Sequence, residues 1–212
     1  PEFEGMFRNI QRNVRRLFRA DESYYALVVS GSGTSANETA LSSLFAPGDA
    51  ALLVSNGMFG ERLEEILDKY GVPKIKPACE WAELPDLRGI EEALAANPAV
   101  RVVAMVFHET STSMINPVRE IGRIAKKYGK LLFVDCVSAA AGEHIEAADS
   151  LIDVCTGVGG KCLGAFPGAA YICAKEELLA NTPASQGRNV YLNLGKHYEM
   201  AKKYSQTPNT PN

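Results

Sequence analysis

The sequence predicts an α/β fold: a three-layer αβα domain around a mostly parallel sheet with one antiparallel strand. Short apolar runs at 24–29, 50–54, 102–107 and 131–134 are nearly continuous, which is the pattern of strands buried on both faces. Helical periodicity fills the intervals, at 36–45, 60–70, 88–96 and 118–128. Strands alternating with helices in this way build parallel crossovers with helices on both sides of the sheet. A further apolar run at 169–173 follows Lys161 too closely for a helical crossover, so that strand must run antiparallel.

Taken in order, the chain opens on a basic amphipathic helix, with Phe7, Ile10, Val14, Leu17 and Phe18 on one face and arginines at 8, 12, 15, 16 and 19 elsewhere. An apolar stripe opposite a solvated basic face describes a core-packed helix, and the stretch lacks the apolar centre of a signal peptide. The 24–29 strand ends in "SGSGTSANETA", small and hydroxylated residues that open a helix. The 50–54 strand ends in "SNGMFGER", the 102–107 strand in "HETSTSMINP", and the 131–134 strand in Asp135. The last turn, "TGVGGKCLGAFPG", places Lys161 among five glycines and a proline. No internal repeat interrupts this order, and the only linker-like stretch is the terminal "SQTPNTPN".

Composition narrows the function. With 212 residues and 46% hydrophobic content, the chain buries a substantial core. A net charge of −3 gives no electrostatic reason to expect nucleic acid or an anionic membrane surface as partner, and no run reaches 18 apolar residues. Cysteines 79, 136, 155, 162 and 173 form no CxxC pair and are odd in number, which predicts reduced thiols in a cytoplasmic protein. Three scattered histidines and no HExxH argue against a metal site.

Ligands of parallel sheets bind at the carboxyl ends of the strands, so the residues after each apolar run carry the chemistry. Gly31, Gly33 and Ala36 satisfy a G-x-G-x-x-A dinucleotide fingerprint, which leaves a nicotinamide-binding Rossmann domain as an alternative. That reading also requires an acidic residue after the second strand, where the chain has Ser55 and Asn56. A helix N-terminus for a phosphate, an aromatic for a ring, a buried carboxylate for a pyridinium and a lysine amine for an aldehyde together meet the needs of pyridoxal 5'-phosphate.

The ordered motifs "SGSGT", "NGMFG", "HETST…NP", "FVDCVSA" and "GGKCLGAFPG" resemble the class V, fold-type I aminotransferases over nearly the whole chain. The resemblance is to the branch that holds the 2-aminoethylphosphonate–pyruvate and the alanine–glyoxylate or serine–pyruvate enzymes. It implies that Lys161 is the Schiff-base lysine and Asp135 the partner of the pyridine nitrogen. Ser32, Gly33 and Thr34 fall on the phosphate turn, Phe59 and Val137 on the two faces of the ring, and Thr110 near the ring substituents. Tyr204 and Thr207 repeat a spacing with which such homodimers reach the neighbouring subunit's phosphate. The implied reaction moves an amino group between a small amino donor and an oxo acid; a lyase, deaminase or epimerase would use the same residues.

Three features depart from the family. Gly159 and Gly160 stand where relatives carry polar side chains. The chain starts at "PEFEG", without the usual N-terminal segment, and residues 1–212 correspond to the cofactor-binding large domain without the C-terminal small domain. The expectation is a fragment, and a truncated non-catalytic form is a further alternative. The substrate-clamping arginine of relatives lies in that small domain; of the arginines present the sequence places only Arg188, in "SQGRN", where it could swing near a site, and its plainer reading is a solvated loop residue.

Overall fold

The computed structural model describes residues 2–208; Pro1 and residues 209–212, the end of the linker-like tail, lie outside the described residues. The elements are α1 (Glu2–Leu17), β1 (Tyr24–Gly31), α2 (Gly33–Leu41), β2 (Ala50–Val54), α3 (Met58–Lys69), β3 (Lys74–Ile75), α4 (Leu87–Ala96) and β4 (Val100–Val106). They continue with β5 (His108–Glu109), β6 (Met114–Ile115), α5 (Val118–Lys127), β7 (Leu131–Asp135), β8 (Val154–Val158), β9 (Gly168–Lys175), α6 (Glu176–Ala180) and α7 (Leu194–Tyr204).

Seven strands form one sheet in the order β1-β9-β8-β7-β4-β2-β3, and β5 and β6 make a separate two-stranded ribbon. Strands β8, β7, β4, β2 and β3 are parallel. Strand β9 is antiparallel to both of its neighbours, β8 and β1. Two reversals cancel, so β1 points the same way as the parallel block, and β9 is the single antiparallel strand of the sheet. The carboxyl ends of β1, β2, β4, β7 and β8 therefore share one edge.

Alternation along the strands divides the core between two faces. Leu53 joins Leu63 and Leu67 of α3 and Ala36 and Ala40 of α2 on one face. Its neighbour Leu52 joins Ile90 and Leu94 of α4 and Ile121 of α5 on the other. Helix α1 spans both, with Phe7 on the first face and Val14 on the second. Each fully buried leucine of this kind contributes roughly 2 kcal/mol. Helices on both sides of one sheet give the predicted three layers.

Local differences have local causes. The helix expected at 36–45 begins at Gly33, because the Ser32 side chain accepts the Ser35 amide at 3.3 Å and starts it one turn before the apolar periodicity. It ends at Leu41, with the chain turning through Pro47 to β2. The ribbon of β5 and β6 lies within a stretch whose polar composition reads as loop.

Candidate active site

A cavity of about 470 Å³ opens at the shared edge, lined by Ser32, Gly33, Thr34, Phe59, Asp135, Val137 and Lys161. These predicted residues come from four separate strand ends and meet in one place. Asn37, Arg62 and His108 also line it, although the sequence motifs assign them no role.

Asp135 ends β7 with 6% of its surface exposed. One carboxylate oxygen accepts the Val137 amide at 2.8 Å, and the other accepts Asn37 Nδ2 at 2.6 Å. The Asn37 carbonyl in turn accepts Thr156 Oγ1 at 2.6 Å. Burial pushes the Asp135 pKa up, opposed by these two hydrogen bonds and reinforced by the negative charge of Glu109. Among the described residues no cation lies within ion-pair distance of Asp135; the Arg62 guanidinium on the cavity wall opposes the rise only weakly, as the last and smallest of these influences.

The first turn of α2 leaves the Gly33 and Thr34 amides without an intrahelical acceptor. Gly33 is required by packing: a Cβ there would lie 2.5 Å from a methyl of Val137. The open helix end is thus pressed against Val137, two residues beyond Asp135. These features fit pyridoxal phosphate, with amides for its phosphate and a buried, unpaired carboxylate for its pyridinium.

Phe59 stands in the first turn of α3, with the Arg62 guanidinium 5.0 Å from its ring centroid. Beneath this turn Glu109 is fully buried and accepts hydrogen bonds from the Phe59 and Gly60 amides. Lys161 lies in the turn joining β8 to β9. Gly159 and Gly160 let that turn fold back on itself, since a Cβ would meet Phe166 O at 3.0 Å or Pro167 at 3.3 Å. His108 approaches Glu143 at 3.4 Å on the cavity wall.

Other predicted residues are not brought together here. Thr110 is exposed on the turn after β5, outside the residues that line the cavity. Tyr204 is 53% exposed at the end of α7, and Thr207 lines a separate groove with Phe3 and Met6 of α1. Arg188 is an exposed loop residue, the plainer of its two readings: its guanidinium donates to the carbonyls of Tyr70 and Phe45, and it does not line the cavity. Arg62 is the arginine at the site. The sequence hid it one helical turn beyond Phe59, in a polar run that reads as solvent-facing.

The fold and this strand-end cavity define a class, and the chain belongs to the class-V aminotransferase family, which matches residues 2–212. Members of this family are in general dependent on pyridoxal phosphate. The chain is 35% identical over 190 residues to 2-aminoethylphosphonate–pyruvate transaminase of Salmonella paratyphi B, covering 90% of this chain and 51% of the relative. Among solved structures, alanine–glyoxylate aminotransferase from Nostoc sp. superposes with a TM-score of 0.86 at 28% identity, covering 98% of this chain and 56% of that one. Ureidoglycine–glyoxylate aminotransferase from Bacillus subtilis gives a TM-score of 0.86 at 29% identity, covering 99% and 55%. The chain spans about half the length of the curated relatives it matches. Among the described residues no helix is long and apolar enough to cross a membrane.

Proposed function

We propose that residues 1–212 form the cofactor-binding large domain of a pyridoxal-phosphate-dependent transaminase. It passes an amino group between a small donor, such as 2-aminoethylphosphonate, alanine or serine, and an oxo acid such as pyruvate or glyoxylate. The observation that carries the reading is Asp135: a buried carboxylate, unpaired among the described residues, in the same cavity as a lysine and an open helix end.

Bound there, the cofactor supplies an aldehyde for the amino group and an electron-withdrawing ring. Asp135 holds a proton on the ring nitrogen, fixed by Asn37 and the Val137 amide. The amides of Gly33 and Thr34 and the Ser32 side chain bind the phosphate, while Phe59 and Val137 hold the ring between them. Lys161 would supply the amine that holds the cofactor's aldehyde and, as a free amine, would carry the proton at the substrate carbon. The glycines around it leave room for that swing. Arg62 adds positive charge to the wall, and the family resemblance is what supports a place for Thr110 near the ring substituents.

Tyr204 and Thr207 act in trans, reaching the phosphate of a second subunit in a cytoplasmic homodimer. Their position outside this chain's own cavity is compatible with that role. Titration of pyridoxal phosphate into the purified chain tests the reading: a visible absorption band and a borohydride-fixed label on Lys161 support it. A colourless chain that binds NAD instead would return the Rossmann alternative.

A further inference from the structure

Glu109 is a carboxylate with no exposed surface, and the proposed reaction does not use it. One of its oxygens accepts the amides of Phe59 and Gly60, each at 3.0 Å. The other accepts the amide and hydroxyl of Ser111, at 3.2 and 2.5 Å. The Ser111 hydroxyl oxygen accepts the Met58 amide at 2.9 Å. Three successive amides at the start of α3 are thus held by the last residue of β5 and the turn that follows it.

This is a costly way to cap a helix, because burying a charge costs far more than setting a serine at the N-cap. The N-cap here is Gly57, which has no side chain to offer. A Cβ at Gly57 would lie 2.5 Å from Glu109 Cγ and 2.6 Å from Ser111 Oγ, so the backbone leaves this space for the carboxylate. The arrangement joins two strand ends, the one after β2 that carries Phe59 and the one after β4.

We propose that Glu109 is a positioning residue that clamps the start of α3 to the β5 turn and so fixes Phe59 as a rigid wall of the cavity. The role of that wall in holding a cofactor ring rests on the reading of the site given above. Trp81, the chain's sole tryptophan, donates its indole N–H to Glu61 Oε1 at 3.0 Å, in the first turn of α3, and reports on this end without any cofactor.

The experiment compares wild type with Glu109→Gln, which keeps the shape and removes the charge, and with Ser111→Ala, which removes only the outer link. In the cofactor-free protein, Glu109→Gln lowers the steady-state anisotropy of Trp81 while far-ultraviolet circular dichroism is unchanged. With pyridoxal phosphate, affinity falls roughly tenfold to a hundredfold, as for loss of a charge-assisted hydrogen bond. The induced circular dichroism of the visible band falls out of proportion to absorbance, a signature that a purely structural role would not move. Ser111→Ala shifts each readout the same way and by less, and it carries the test if Glu109→Gln does not fold. Unchanged anisotropy and unchanged induced dichroism in the folded variants would overturn the clamp. If wild type itself binds no pyridoxal phosphate, the cofactor reading fails, and Trp81 anisotropy still decides whether Glu109 fixes this end of α3.

Discussion

Asn37 and Asp135 stand 98 residues apart in the chain, yet Nδ2 of the first donates to Oδ2 of the second across 2.6 Å. Both side chains are buried, and the other end of the Asn37 amide accepts the Thr156 hydroxyl. One row of hydrogen bonds therefore joins α2, β7 and β8. It ties the helix with open amides to the strand with the unpaired charge, so a ligand that meets both finds them at a fixed separation.

Replacing Asp135 by Asn keeps this row intact, because the Asn37 amide can turn over and the Thr156 hydroxyl serves as donor or acceptor. Affinity for pyridoxal phosphate is expected to fall by about 1.5–3 kcal/mol, the worth of a charge-assisted hydrogen bond. Stability moves the other way in the free protein. The folded pKa of Asp135 lies above its ordinary value of 3.8, so its contribution is present at low pH and lost as pH rises through the raised value. Urea midpoints should thus favour Asp135→Asn over wild type near neutrality without cofactor, and wild type with it. Equal cofactor affinities would remove Asp135 from the site.

Lys161→Ala should retain the fold, since the side chain is exposed and lies in a turn held by its glycines. Pyridoxal phosphate then binds without covalent attachment, and borohydride fixes no label. A label recovered on another lysine by peptide mapping would reassign the amine.

Gly33→Ala drives a methyl into Val137 and is expected to cost about 1–3 kcal/mol by overpacking. The double variant with Val137→Ala should recover much of that stability, because the clash is between these two side chains. Additive losses in urea denaturation would show that the glycine serves the backbone rather than this contact.

His197, on α7 and 3% exposed, has its imidazole pushed down to about 4, chiefly by burial, with the Lys196 charge in the same direction. A base with a depressed folded pKa gives full stability above its ordinary value of 6.5 and loses it as pH falls toward 4. The slope from this group is about 1.4 kcal/mol per pH unit. Urea unfolding at steps across that window should show a shallower acid loss in His197→Leu than in wild type. Parallel curves would place the acid sensitivity elsewhere.

The layers were legible because buried parallel strands demand unbroken apolar runs, and β2 and β8 are buried at every position. The antiparallel strand was legible from spacing alone. Lys161 and Asp135 could be found because a cation among glycines and a carboxylate after an apolar strand are each unusual for their surroundings. Glu109 and Arg62 gave no such signal: each sits in a polar stretch whose composition is the same whether it faces water or the cavity. Arg188 is the exposed loop residue that "SQGRN" suggests, while its bonds to carbonyls of distant elements leave no local pattern in the sequence.

The insertion of β9 between β1 and β8 bears on how the molecule is made. Among the described residues all sheet pairing of β1 runs through β9, so β1 has no partner until the chain has grown to residue 175. Until then the turn at Ser32–Thr34 hangs on an unpaired segment, while β2, β4, β7 and β8 can already assemble. Pairings so distant along the chain are slow to close, which makes joining the two halves of the cavity a late event in folding. A growing chain therefore completes the wall of this cavity only when the sheet itself is finished.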